Sequence, residues 1–135
     1  MVTIDIQYQG DLRSEAVHQP SGTRLATDAP KDNQGKGESF SPTDLVATAL
    51  GTCMLTVMGI AAKSMNVDLK GTKVTVQKEM VADPLRRISK LAVKISVPVE
   101  VTEEQKLKLE RAAHTCPVHK SLHPMVDIPV DFVWG

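Results

Sequence analysis

The residues best suited to chemistry in this chain of 135 amino acids are its two cysteines, Cys53 and Cys116. Their surroundings differ. Cys53 lies in the middle of an uncharged run, where desolvation alone raises a thiol pKa and leaves it inert unless a cation and a hydrogen-bond network reach it. Cys116 precedes Pro117 at a predicted helix cap, where free backbone N–H groups favour a thiolate, and His119 and Lys120 within one turn add positive charge. By spacing alone, Cys116 is the more acidic thiol. The alternative for both is a small residue filling a core. His114, Cys116, His119 and His123 are also residue types that zinc uses, with His119 and His123 spaced to share a helix face. Against a metal site stand the break at Pro117 and the lack of a second ligand cluster; solvated histidines around a thiol are the alternative.

The element that must position Cys53 is the stretch from Ser41 to Asn66. Ser41 is a candidate N-cap, Pro42 suits the first helical position, and Asp44 faces the positive end of the helix. From Leu45 to Ala62 there is no charge, and apolar residues cover most of the circumference, which predicts a helix buried on nearly every side. The run is at the short end for a membrane span and is diluted by Gly51, Gly59, Thr48, Thr52 and Thr56. With amphipathic strands and a polar helix also needing a core, the reading is a central helix of a soluble domain, not a membrane segment.

Before that helix, Val2, Ile4, Ile6 and Tyr8 alternate with polar residues, predicting a half-buried strand. Gly10-Asp11 turns the chain, and further strands are expected at about 12 to 18 and 23 to 27, an antiparallel meander. Residues 28 to 39 form a polar loop. After the helix come a strand over 73 to 80, a turn at Asp83-Pro84 and the cleanest period-two run, Leu91 to Val99, whose Pro98 suggests that the end of the strand lies at an edge. Thr102 and Gln105 frame a capping box that opens an amphipathic helix, with Leu107, Leu109, Ala112 and Ala113 toward the core. A short helix restarts at Pro117, and Val126 to Trp134 supplies a final strand. The order βββ-α-ββ-α-β makes this an α+β chain, expected as one domain over residues 1–135.

Sixteen basic and sixteen acidic residues, interspersed, give no basic surface for nucleic acid, and Tyr8, Phe40, Phe132 and Trp134 are too few for a base-stacking platform. The alternating N-terminus lacks the apolar core of a secretory signal, so a reducing cytoplasmic compartment is expected.

SFSPTDLVATALGTC, ending at Cys53, and HTCPVHKSL around Cys116 together resemble the OsmC/Ohr family of thiol-dependent hydroperoxide reductases. The resemblance implies the OsmC-like fold, antiparallel sheets wrapped around a long central helix in an intertwined homodimer. It implies a two-cysteine peroxidase needing no bound cofactor or metal. Cys53 would attack the O–O bond of an organic hydroperoxide or hydrogen peroxide, and Cys116 would resolve the sulfenic acid to a disulfide that an external dithiol or lipoyl-type reductant opens. This reverses the order of reactivity that spacing suggests. Leu50, Met54 and Met58 are candidates to line an apolar substrate pocket, or are plain core.

The resemblance departs at the activating charges. The family pairs an Arg with a Glu at the helix start, but here Thr43 holds the Glu position. Arg13 stands in the place of the Ohr-like Arg, with Arg24 competing, and Glu38 is a candidate replacement carboxylate. The missing Glu keeps open a non-catalytic member that binds a small molecule or lipid, or senses redox state.

Overall fold

The computed structural model describes residues 1–135, in the expected element order. The chain divides into two compact units, Met1–Val46 and Ala47–Gly135.

In the first unit, β1 (Ile4–Gly10), β2 (Arg13–His18) and β3 (Arg24–Asp28) form an antiparallel sheet in the order β1-β2-β3. The β1–β2 hairpin turns on Asp11 and Leu12, both left-handed at φ 53° and 63°, the twist that a two-residue hairpin needs. Leu12 is an uncommon residue there; the Tyr8 hydroxyl holds it by accepting its N–H at 3.2 Å. The apolar residues of β1 alternate as expected, but Ile4, Ile6 and Tyr8 are all exposed. The strand is therefore not half-buried, because no element of its own unit covers that face. Beyond β3 the loop to residue 40 folds back, with Asp28 N–H on the Phe40 carbonyl at 3.0 Å. Gly35 sits so tightly on the Ala29 backbone that any Cβ would collide with it.

Helix α1 (Pro42–Ser64) begins in this unit with a reciprocal cap. Ser41 N–H donates to the Asp44 carboxylate at 2.9 Å, and Asp44 N–H donates to Ser41 Oγ at 3.1 Å. Two orphan donors are thus satisfied by the pair of side chains that the sequence marks as the start.

The second unit carries the rest of α1. Strands β4 (Lys73–Val81), β5 (Arg87–Val97) and β6 (Val130–Trp134) form a sheet in the order β4-β5-β6, and α2 (Glu103–His114) and α3 (Pro117–Ser121) lie between β5 and β6 in sequence. β4 and β5 are antiparallel, while β5 and β6 are parallel. This sheet is therefore mixed: the two helices form a crossover that returns β6 in the direction of β5. It also makes β5 the central strand. Pro98 lies just past its last residue, beyond the last β4 pair at Ser96, where a missing N–H costs no ladder bond.

Leu91, Val93, Ile95 and Val97 are buried on one face of β5, together with Leu109 and Ala113 of α2. Leu107, expected inward, is exposed, because it lies off the stripe of Leu109 and Ala113. On α1 the buried residues are Ala47, Leu50, Gly51, Met54, Met58 and Ala62, a single stripe at helical spacing. A Cβ on Gly51 would lie 3.0 Å from Val76 Cγ2 and 3.2 Å from Val74 Cγ1, so the missing side chain lets β4 approach the helix. Thr48, Ala49, Thr52, Thr56, Gly59 and Ile60 face solvent. The expectation of burial all round is thus corrected: one sheet covers only one side. By length and composition alone α1 is long and apolar enough to cross a membrane, with mean hydropathy 1.9.

Candidate active site

Two elements of the second unit bring the thiols together. Cys53 projects from the middle of α1, half-buried, one residue before the buried stripe position Met54. Cys116 caps α3, fully buried, in the short break where α2 ends and Pro117 restarts the helix. The break arises because Pro117 has no N–H to continue α2, and its fixed φ suits a first helical position. Cys116 Sγ accepts the His119 N–H at 3.4 Å. Cys53 lies close enough to contribute to the Cys116 pKa, and both sulfurs are free thiols.

Burial pushes the Cys116 pKa up, and the contact with Cys53 pushes it further, outweighing the N–H groups of His119 and Val118 that pull it down. This overturns the order suggested by spacing. A cap position lowers a thiol pKa only while desolvation is small, and Cys116 is completely shielded.

Around the thiols lies a run of rings that the sequence does not signal. His119 and His114 meet edge to face at 6.4 Å between centroids, His114 meets Phe132 at 6.2 Å, and Phe132 stacks on Trp134 at 6.0 Å. Trp134 Nε1–H donates to Glu110 at 3.1 Å, tying β6 to α2. Burial lowers the His119 pKa, with smaller contributions from Lys120 and His114. His123 lies beyond α3, which stops at Ser121, so it does not share a helix face with His119; its Nδ1 accepts the Met125 N–H at 3.0 Å. No group of three or more His, Cys, Asp or Glu side chains is placed to hold a metal ion.

Leu50, Met54 and Met58 are fully buried residues of the core. A groove of about 480 Å³ lies elsewhere in this unit, lined by residues such as Thr75, Gln77, Lys94 and Asp131, and neither cysteine borders it.

The first unit holds the other candidate charges. Arg13 Nη1 pairs with Glu38 at 3.1 Å, whereas Arg24 pairs with Glu15 at 2.6 Å. Glu38 is held in turn by its N–H, which donates to the buried Asp28 carboxylate at 3.0 Å. Asp28, opposite Arg13 in the strand register, is a buried charge to which the sequence gives no pointer. Thr43 Oγ1 lies 3.2 Å from Ser41 Oγ, and Asp44 is engaged in the helix cap.

The model of OsmC-like proteins matches residues 35–131, and the chain belongs to that family. A solved structure from Psychrobacter arcticus 273-4, named provisionally for osmotic stress induction and a detoxification response, is 48% identical. It superposes with a TM-score of 0.92 over 98% of this chain and 96% of its own. An organic hydroperoxide resistance protein OsmC from Legionella pneumophila is similar in fold, at 15% identity and TM-score 0.79 over 98% and 96% of the two chains. OhrB of Bacillus subtilis, also an organic hydroperoxide resistance protein, has 17% identity and TM-score 0.72 over 98% and 97%. A search of curated proteins found no match.

Proposed function

We propose that this chain is a two-cysteine peroxidase for organic hydroperoxides, with hydrogen peroxide as a second candidate substrate. The observation that carries the reading is the meeting of two thiols far apart in sequence, with Cys116 capping α3 and Cys53 near enough to raise its pKa. A thiolate is the nucleophile toward an O–O bond, and a protonated neighbour donates to it without competing for the peroxide. Cys53 sulfur attacks the terminal oxygen, the O–O bond breaks, and the alcohol leaves as Cys53 becomes a sulfenic acid. Cys116 then attacks that sulfur; an S–S bond forms, the S–O bond breaks, and water leaves. An external dithiol, such as a lipoyl-type group, returns both cysteines to thiols by exchange. No cofactor or metal enters this scheme.

Arg13 is the proposed activating cation and Glu38 its carboxylate partner, a pairing supported by their 3.1 Å contact. We also propose a homodimer. The exposed Ile4, Ile6 and Tyr8 of β1 and the exposed Ile60 of α1 are apolar faces that a second copy would cover. A cytoplasmic setting, in which the thiols start reduced, fits the same reading.

A second reading, a redox-sensing or small-molecule-binding member without turnover, is favoured by one feature: the helix start carries Thr43 and a cap-bound Asp44, with no free carboxylate. Single-turnover oxidation separates the two. With one equivalent of cumene hydroperoxide, rapid loss of both thiols and of two hydrogens by mass supports the peroxidase. Thiols persisting for hours would remove it.

A further inference from the structure

The outer face of the β4-β5-β6 sheet carries a hollow that the thiol chemistry does not use. Leu91, Val93, Ile95 and Val97 take the inner face of β5, so alternation turns Ala92 and Lys94 outward. Gln77 of β4 lies opposite Ala92, Thr75 lies opposite Lys94, and Asp131 of β6 pairs in register with Lys94 on the other side. Pro129 stands beside them, its carbonyl accepting the Val93 N–H at 2.9 Å. These residues border the groove of about 480 Å³, a size ordinary for a small-molecule site. We propose that the groove binds a free α-amino acid with an apolar side chain. Lys94 takes its carboxylate, Asp131 takes its ammonium, and its side chain lies over Ala92 and Pro129.

Three observations carry this. The first is charge left open. Lys94 and Asp131 oppose each other in register yet form no ion pair, and the Thr75 and Gln77 side chains make no hydrogen bond within the chain. On the same sheet, Lys90 closes on Glu79 at 3.8 Å, so the neighbouring lysine of β5 does find a carboxylate. The second is spacing. Neighbouring strands run about 4.8 Å apart, so one cation and one anion stand side by side, matching a carboxylate and an ammonium on the same carbon. A peptide holds its two termini apart, and a simple amine or carboxylic acid offers only one of the two charges. The third is shape. Ala92 carries only a methyl group, which leaves a gap between Gln77 and Pro129 in the row beside the charges. That row lies about 6.6 Å from Lys94 along the strand, within reach of a phenylalanine ring whose head group sits on Lys94 and Asp131. Ala92 and Pro129 give the ring an apolar floor, and Gln77 offers its amide at the rim.

Thr75, Gln77, Lys94 and Asp131 are all exposed. Ion pairs made there contribute little each, which sets the expected Kd at about 1 mM. Neither cysteine borders the groove, so binding there does not depend on the peroxidase reading.

The test is an NMR titration of the reduced, full-length chain with L-phenylalanine up to about 20 mM, well above the expected Kd. Saturable shifts of the Ala92, Lys94 and Asp131 amides are expected. Phenethylamine and 3-phenylpropanoate, each lacking one charge, should bind at least about fivefold more weakly. Lys94→Gln and Asp131→Asn should each weaken L-phenylalanine by at least about fivefold too. Ala92→Leu fills the hollow from an outward position, and should remove the shifts while the rest of the spectrum stays as in the wild type. Three results would overturn the proposal: no saturable shift over that range, equal binding of either singly charged analogue, or undiminished affinity in Lys94→Gln and Asp131→Asn.

Discussion

At the scale of single residues, the site is decided by which of two thiols keeps its proton. Cap geometry and nearby basic residues point to Cys116 as the acidic thiol, whereas full burial and the hydrogen bond to Cys53 reverse the sign. The sequence shows neighbours along the chain and not shielding by distant ones, so the raised Cys116 pKa was not legible there. Cys53→Ser is expected to abolish hydroperoxide consumption, with thiol loss read by mass. Cys116→Ser should still react once and accumulate a dimedone-trappable sulfenic acid. Glu38→Gln separates a chemical from a structural role. Its ion pair with Arg13 is solvent-accessible, with side chains 35% and 56% exposed, so stability should change by less than about 1 kcal/mol in urea unfolding. If the pair activates Cys53, the rate of the first oxidation should fall about tenfold or more; an unchanged rate would discard Glu38 as the substitute carboxylate.

At the scale of elements, the legible parts are those whose signal is local. Thr102 and Gln105 exchange hydrogen bonds at 3.1 and 2.9 Å, the box their spacing announces, and Ser41 with Asp44 does the same for α1. Thr102→Ala should lower stability by about 1 kcal/mol, seen as a shifted urea midpoint with an unchanged slope. The β5 core face was equally legible, because period-two alternation needs no knowledge of partners. Its place at the centre of a mixed sheet was not: parallel pairing with β6 depends on a crossover through two helices, which no local pattern records. Gly51 belongs to the same class. In sequence it reads as a dilution of an apolar helix; in the fold it is the point where α1 admits Val74 and Val76. Gly51→Ala is expected to cost about 1–3 kcal/mol by overpacking, despite the better helix propensity of alanine.

At the scale of the whole molecule, the unresolved balance is apolar surface. A long helix without charge and a strand with four alternating apolar positions are expensive to leave in water, yet one chain covers a single stripe of the first and leaves Val2, Ile4, Ile6 and Tyr8 of the second exposed. The sequence shows that these faces call for burial, but not by what, because hydrophobic patterning is the same for cover from within the chain and from a second copy. Each large side chain fully removed from water contributes about 1.5–3 kcal/mol, so the face of β1 alone is enough to drive association if a second copy meets it. Ile6, 70% exposed and flanked by Ile4 and Tyr8, is the place to test this. Ile6→Lys should leave the circular dichroism of the fold intact while raising the dimer dissociation constant at least about 100-fold in sedimentation, since it both removes apolar area and forces a charge into the interface. Gln7→Lys, on the opposite face of the same strand, should leave the dissociation constant within about threefold. A wild-type chain that sediments as a monomer at tens of micromolar, or equal effects of the two substitutions, would mean that this face is not covered by a second copy.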